Sequence, residues 1–154
     1  MRLRVYIDTS VIGGCFDREF NEWSNLLFDE FRNGKKIAVL SDITFDELEL
    51  AGKEIKNVIN RIPEKYREYL IQDEEVIELA EKYITDGAVT MKFFEDALHI
   101  AIATINKVDV LVSWNFKHIV NINRIRLYNS VNLKSGYSMI DIRSPREILT
   151  EKEK

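Results

Sequence analysis

Acidic and hydroxyl side chains follow three predicted strands of the sequence at the points where the strands end. Asp8 comes directly after the first strand, and Ser113 comes directly after the third. Glu47 lies in the second turn of the helix that follows the second strand, and Asp96 lies in the first turn of the apolar helix before the third. Oxygen ligands of this kind favour Mg²⁺ or Mn²⁺ over zinc, and such a cation can activate water for attack on a phosphodiester.

Repulsion between these acids would make a cation necessary if they meet in the fold. Two carboxylates about 4 Å apart repel by roughly 4 kcal/mol at an effective dielectric constant near 20, so three would cost about 12 kcal/mol. That cost is comparable with the whole stability of a domain. Asp96 shares a helix face with Ile100 and Ala103, so we expect it to point toward the sheet. His99, three residues after Asp96, could reach the same cleft, although a partly buried structural histidine is the favoured interpretation.

Each of these residues also has a purely structural interpretation. Asp8 can cap the turn after its strand. Thr44 and Glu47 match the S/T-x-x-E capping box, and Asp96 lies at the positive end of its own helix. Asn115, two residues after Ser113 in the sequence, suits a helix N-cap. The convergence of all of them on one edge is what favours a metal site.

The elements that position these residues alternate along the chain. Apolar runs predict strands over 3–7, 37–40, 108–112 and 138–142. Helical spacing predicts helices over 20–33, 42–51, 53–61, 73–85, 93–106 and 122–134, another helix opening near Asn115, and a last turn after Pro145. This alternation predicts a three-layer α/β/α fold with a parallel sheet of about four or five strands. The active crevice of such a sheet lies beyond the carboxyl ends of its strands.

The composition indicates one globular domain in a reducing compartment. A chain of 154 residues suits a single domain, 1–150, followed by a charged tail, 151–154. The single cysteine, Cys15, cannot form an internal disulfide, and no run of about 20 apolar residues is present to span a membrane. We therefore expect a cytoplasmic protein.

The charge distribution leaves two interpretations open. The net charge of −4 argues against a nucleic-acid-binding protein. The segment 117–146, however, carries six basic residues against one acid. It is either a solvated surface or a surface that faces phosphates. Lys117, Arg124 and Arg126 are the candidate RNA contacts on the second interpretation.

Four segments in order carry a resemblance to a known family. They are Tyr6-Ile7-Asp8-Thr9-Ser10-Val11, Ser41-Asp42-Ile43-Thr44-Phe45-Asp46-Glu47-Leu48, Asp96-Ala97-Leu98-His99-Ile100-Ala101-Ile102-Ala103 and Leu111-Val112-Ser113-Trp114-Asn115-Phe116. Together they resemble the motifs of the PIN domain, and within it those of the VapC-like toxins of bacterial and archaeal toxin–antitoxin pairs. The resemblance covers nearly the whole chain. It implies a PIN-like fold, Mg²⁺- or Mn²⁺-dependent endoribonuclease activity, a homodimer, and inhibition by a small protein antitoxin.

The resemblance also implies roles for individual residues. Asp8, Glu47 and Asp96 would bind the metal and take part in catalysis, with Thr9 and Ser113 as hydrogen-bonding supports. Asn115 stands where many members of the family have an aspartate. One ligand of the set is therefore neutral in this chain. The resemblance implies that Asn115 would hold a water ligand or orient the scissile phosphate.

Other functions are compatible with parts of the sequence. Asn115 is compatible with a degenerate PIN domain that binds RNA or a protein partner without catalysis, and a housekeeping RNA-processing nuclease would carry the same motifs. Aspartyl-phosphate phosphatases also place an aspartate after their first strand. They have a second aspartate two residues later, where this chain has Ser10, so that class ranks low.

Overall fold

The computed structural model describes residues 1–150, and the charged tail expected at 151–154 lies outside them. The strands are β1 (Leu3–Ile7), β2 (Lys36–Ser41), β3 (Arg67–Leu70), β4 (Val110–Val112) and β5 (Ile142–Arg143). The helices are α1 (Thr9–Gly14), α2 (Asn21–Arg32), α3 (Asp42–Leu48), α4 (Lys53–Asn60), α5 (Glu74–Thr85), α6 (Phe94–Ile105) and α7 (Ile122–Lys134). Short 3₁₀ turns occupy Glu64–Tyr66, Met91–Phe93 and Pro145–Ile148.

The five strands form one parallel sheet in the order β3-β2-β1-β4-β5. The chain builds one half of the sheet outward from β1 and then crosses to build the other half from β4. The strand order therefore reverses between β1 and β4, which is where α/β sheets open a crevice at their carboxyl ends. Asp8 and Ser113 follow these two strands, so both lie at the switch point.

Alternating side chains of the strands feed two cores, one on each face of the sheet. Tyr6 faces the core formed with α5, α6 and α7, whereas Val5 and Ile7 face the core formed with α1, α2 and α4. Every residue from Ala97 to Thr104 of α6 is buried. This packing fixes the first turn of α6, which carries Asp96, against the sheet and confirms the predicted three-layer architecture.

Some predicted elements differ from the structure. The strand Arg67–Leu70 was not predicted, because it is a half-exposed edge strand with two charged residues and shows no apolar run. The predicted strand 138–142 is shorter and lies at Ile142–Arg143. The short helix Thr9–Gly14 after Asp8 was also not predicted.

The helix predicted to open near Asn115 is wrong. The Asn115 side chain does act as a cap, since its Oδ1 accepts from the backbone N–H groups of Lys117 at 3.2 Å and His118 at 2.9 Å. The chain then makes a turn instead of continuing as a helix. α7 begins later, at Ile122, where Asn121 Oδ1 accepts from the N–H groups of Asn123 and Arg124. Across residues 1–150, no helix is both long and apolar enough to cross a membrane.

Candidate active site at the carboxyl edge of the sheet

Asp8 is a buried carboxylate that joins β1 to α1. Its backbone is extended, and its Oδ1 accepts from the N–H of Val11 at 3.3 Å, so it is the N-cap of α1. The same oxygen accepts from the Ser10 hydroxyl at 2.6 Å. Burial raises the pKa of the Asp8 carboxyl, and the nearby charge of His99 and the hydroxyl donors offset only part of that effect.

Hydroxyl groups connect the ends of β1 and β4. Ser113 Oγ donates to Asp8 Oδ2 at 2.6 Å, and Ser10 Oγ lies 3.3 Å from Ser113 Oγ. The backbone N–H of Trp114 donates to Ser10 Oγ at 2.9 Å, and that of Asn115 donates to Ser113 Oγ at 2.9 Å. Asp8 is therefore held on both of its oxygens by fixed donors.

Glu47 projects from α3 toward the same edge. Its Oε2 accepts from the Thr9 hydroxyl at 2.8 Å, and its Oε1 lies 2.5 Å from His99 Nε2, which donates to it. Burial would raise the pKa of the Glu47 carboxyl, but the hydrogen bond and charge of His99 outweigh it, so the pKa is lowered. Glu47 is the carboxylate of the group that is most firmly kept ionised.

His99 is a buried histidine of α6 that connects Glu47 to the core. The Tyr6 hydroxyl lies 2.6 Å from His99 Nδ1 and 2.7 Å from Ser41 Oγ, so both ring nitrogens have partners. Burial would lower the pKa of His99, but Glu47 together with the charges of Asp8 and Asp96 raises it. His99 thus lies within electrostatic reach of all three acids.

Asp96 is the acid least supported by hydrogen-bond donors. Asn115 Nδ2 donates to its Oδ2 at 3.3 Å. Burial, reinforced by the charges of Asp8 and Glu47 against the opposing charge of His99, raises the pKa of Asp96 to about 6. The carboxyl of Asp96 therefore experiences the repulsion expected of neighbouring acids.

These contacts form a closed ring at the switch point. Asp8 bonds Ser113, which is bonded by Asn115, which bonds Asp96. One turn along α6, His99 bonds Glu47, and Glu47 bonds Thr9, the neighbour of Asp8 in the chain. The structure thus brings together the four residues predicted for catalysis and the two predicted to support them, listed as Asp8, Glu47, Asp96, Asn115, Thr9 and Ser113.

The ring is not a preformed coordination shell. In the part of the chain that the structure describes, no three His, Cys, Asp or Glu side chains lie close enough together to hold a metal ion. His99 occupies Glu47 Oε1, and Asn115 Oδ1 is used by the turn that follows it. The donor chemistry still suits a hard cation, because each of the three carboxylates keeps lone pairs free beside the hydrogen bonds that it accepts. A cation would have to draw the carboxylates together.

Known structures share this fold. VapC20 of Mycobacterium tuberculosis, a toxin that cleaves the sarcin–ricin loop, is similar over 74% of this chain and 92% of its own, with a TM-score of 0.56 and 11% identity. A chain of VapBC2 from Rickettsia felis, bound to a DNA fragment from its promoter, is similar over 92% of this chain and 98% of its own, with a TM-score of 0.58 and 11% identity. The chain has the PIN-like fold of VapC toxins.

The likeness is one of fold. Tyrosyl-tRNA synthetase from Aeropyrum pernix is also similar, over 92% of this chain and 52% of its own, with a TM-score of 0.50 and 10% identity. No protein-family model and no curated protein matches the sequence. A likeness at this level of identity is found with proteins of different activity, so the function has to be argued from the site.

The PIN-like fold gives roles to residues that sequence reasoning did not assign to the site. Ser10 supports Asp8, and Tyr6 supports His99. Ser10 had a usable signal, because it follows Asp8 by two residues at the same strand end. The position of His99, three residues after Asp96, indicated that it could reach the cleft, but the sequence did not indicate Glu47 as its partner.

One of the three predicted RNA contacts, Arg126, diverges from the other two. Lys117 is exposed beside Asn115, and Arg124 is half-buried with its Nη1 donating to the backbone carbonyl of Ala88 at 2.7 Å. Arg126 lies two residues further along α7, about 200° around the helix from Arg124.

A cleft of about 530 Å³ lies at the opposite edge of the sheet, at the amino ends of β1 and β4 and away from the acids.

Proposed function

We propose that the protein is a divalent-metal-dependent endoribonuclease that hydrolyses RNA phosphodiester bonds and acts in the cytoplasm as the toxin of a toxin–antitoxin pair. The ring that joins Asp8, Glu47 and Asp96 at the sheet switch point carries the proposal. The PIN-like fold shared with VapC20, which cleaves the sarcin–ricin loop, supports the substrate class.

Asp8, Glu47 and Asp96 are the residues that would hold Mg²⁺ or Mn²⁺. The raised pKa of Asp96 supports this assignment. The ionised carboxylate is disfavoured in the metal-free site, and a bound cation would stabilise it. When bound, such a cation supplies activation of water and neutralisation of the charge that builds on the phosphate. A bound cation would attract each of the three carboxylates and so offset their mutual repulsion.

The supporting residues keep the carboxylates oriented. Ser113 and Ser10 hold the two oxygens of Asp8, and Thr9 holds one oxygen of Glu47. His99 holds the other oxygen of Glu47, so Glu47 faces the site in its ionised form. Asn115 presents an amide N–H to Asp96 and would orient the scissile phosphate from the same position.

Binding of substrate and partner completes the proposal. Lys117, Arg124 and Arg126 would contact RNA phosphates and compensate for the net charge of −4. The likeness to a chain of VapBC2 supports a small protein antitoxin as partner, and the resemblance to VapC-like toxins extends the proposal to a homodimer.

A second candidate is a PIN-like domain that binds RNA or a partner without cutting. Two contacts favour it: His99 occupies Glu47, and the oxygen of Asn115 closes a turn. In that case the hydrogen bonds of the ring would serve stability alone.

Cleavage of a mixed-sequence RNA separates the two candidates. We expect wild type to cut RNA with Mg²⁺ and to stop in EDTA, and Asp96→Asn to lose most of the activity. Asp46→Asn is the matched control, since this exposed acid lies next to Glu47 in the chain and outside the ring. Cleavage that survives EDTA or Asp96→Asn would refute the metal-dependent nuclease. RNA binding without cleavage would favour the second candidate.

A further inference from the structure

Cations from three separate elements meet beside one ring stack. Phe93 and His118 stack with their ring centroids 3.6 Å apart. Lys92 Nζ lies 5.6 Å from the Phe93 ring centroid, and Lys117 directly precedes His118 in the chain. Arg124 comes from α7 and completes the group. We call Lys92, Lys117 and Arg124 the cationic cluster.

The surrounding cations disfavour a positive charge on the stacked histidine. Burial lowers the pKa of His118, and the positive charges of Lys117, Arg124 and Lys92 lower it further. A neutral imidazole at the centre leaves the positive charge to the three surrounding side chains.

The cluster differs from three other basic residues near the carboxyl end of the chain. Lys134 faces Asp86 at 3.5 Å, Arg143 pairs with Asp141 and Glu147, and Arg146 lies over the Trp23 ring. Within residues 1–150, no member of the cationic cluster forms an ion pair. Its charge is therefore available for a ligand.

The cluster adjoins the acidic ring. A cleft of about 250 Å³ is lined by Lys92, Phe93, Phe94, Glu95 and Asp96. Asn115 also links the two groups. Its Oδ1 accepts hydrogen bonds from the backbone N–H groups of Lys117 and His118, and its Nδ2 donates to Asp96. An anion held by the cluster would lie next to whatever the acids bind.

We propose that Lys92, Lys117 and Arg124 form a subsite for a backbone phosphate of RNA next to the phosphate that is cut. The proposal rests on the proposed nuclease function and names Lys92, which lies outside the basic segment of the sequence. Two lysines act as point charges, and the guanidinium of Arg124, anchored on Ala88, offers planar donors. Such a subsite compensates for the repulsion between RNA and the acidic ring.

RNA binding measured without cleavage tests the subsite. A labelled short single-stranded RNA is titrated in EDTA over a series of salt concentrations, and fluorescence anisotropy gives the affinity. Each lost phosphate contact reduces the magnitude of the salt slope by about 0.7 for a single strand. Because the subsite holds one phosphate, we expect weaker binding for Lys92→Ala with a slope reduced by part of that amount, and still weaker binding for Lys92→Ala combined with Lys117→Ala with a reduction that approaches about 0.7.

Lys134→Ala is the matched control, because it removes an exposed lysine that faces Asp86 at a distance from the cluster. It should keep the wild-type slope. Unchanged affinity and slope in Lys92→Ala, with a wild-type melting temperature, would overturn the subsite. RNA cleavage by the same variant in Mg²⁺ would then show that the nuclease function stands without it. If the wild type and the variants bind RNA with the predicted slopes but the wild type does not cut it, the phosphate-binding subsite stands and the nuclease function is refuted. A wild type with no salt-dependent RNA binding would overturn both.

Discussion

The Ser113 hydroxyl donates to Asp8 Oδ2 at 2.6 Å, across the switch point between β4 and β1. The two residues are 105 positions apart in the chain, and both are buried. This bond fixes the carboxylate whose other oxygen caps α1. It links the orientation of a proposed metal ligand to the pairing of the two central strands.

Replacing Ser113 by alanine should therefore impair both catalysis and stability. The loss of one donor to a buried carboxylate costs about 1 to 3 kcal/mol of stability, and the loss of such a support typically reduces activity by about 10- to 100-fold. RNA cleavage rates and denaturant unfolding measure the two effects. Ser130→Ala, on the exposed surface of α7, is the control. Wild-type cleavage by Ser113→Ala would show that Asp8 needs no such support.

Replacing Asp96 by asparagine should stabilise the metal-free protein at neutral pH. The pKa of Asp96 rises to about 6 from an ordinary value of 3.8. Between these two pH values the folded state therefore holds a proton that the unfolded state has lost. The wild type should lose stability as the pH rises from about 4 to about 6, by about 1 to 2 kcal/mol after solvent screening is discounted. The asparagine variant should lack that loss.

Denaturant unfolding in EDTA across this pH range measures the difference. Asp46→Asn should follow the wild type, because that carboxylate is exposed and lies outside the ring. Equal stability of wild type and Asp96→Asn at neutral pH would mean that neither burial nor the neighbouring acids disfavour the ionised Asp96 carboxylate.

The two histidines should titrate on opposite sides of the ordinary value of 6.5. Burial lowers the pKa of both, but the carboxylates around His99 outweigh it and raise that pKa, whereas the cationic cluster lowers the pKa of His118 further. The stability that charged His99 contributes is present below about pH 6.5 and is lost as the pH rises through its folded pKa.

NMR titration of the ring protons measures both values, with His118→Gln for assignment. Mg²⁺ should lower the pKa of His99, because the cation cancels the charge of its carboxylate neighbours, and should leave His118 nearly unchanged. The reverse order of the two pKa values would contradict the described electrostatics.

Adjacent glycines of α1 should respond oppositely to alanine. A Cβ on Gly14 would lie 2.5 Å from Ser24 Oγ and 2.7 Å from Trp114 Nε1, whereas a Cβ on Gly13 would meet nothing within 4 Å. Overpacking at Gly14 should cost about 1 to 3 kcal/mol. It should also reduce cleavage, since Trp114 lies between Ser113 and Asn115.

Gly13→Ala is the matched control and should be neutral or more stable by up to about 1 kcal/mol. Thermal unfolding and cleavage rates of the two variants decide the point. A Gly14→Ala variant as stable and active as Gly13→Ala would show that Trp114 can shift without consequence.

Periodicity predicted the parts of the fold in which local pattern and burial agree. The buried runs of β1 and β2 and the helical spacing of α5, α6 and α7 appear within a few residues of their predicted bounds. The edge strand β3 escaped prediction because its pairing with β2, rather than its own residues, makes it a strand.

Side-chain partners were less predictable than elements. The sequence indicated that Asp8, Glu47 and Asp96 would share an edge, because parallel strands end together. It did not indicate that His99 would bond Glu47, since that contact depends on how α3 and α6 pack. The turn at Asn115 was also not predicted. Its side-chain oxygen accepts from two backbone N–H groups, and the same capping pattern occurs at the start of a helix.

The most direct test of the central claim is calorimetric titration of Mg²⁺ into the wild type and into Asp8→Asn, Glu47→Gln and Asp96→Asn, with Asp46→Asn as control. If the three acids share one cation, each of the three variants should lose or strongly weaken the binding that the wild type and the control retain. Wild-type binding in any one of the three would contradict a shared site.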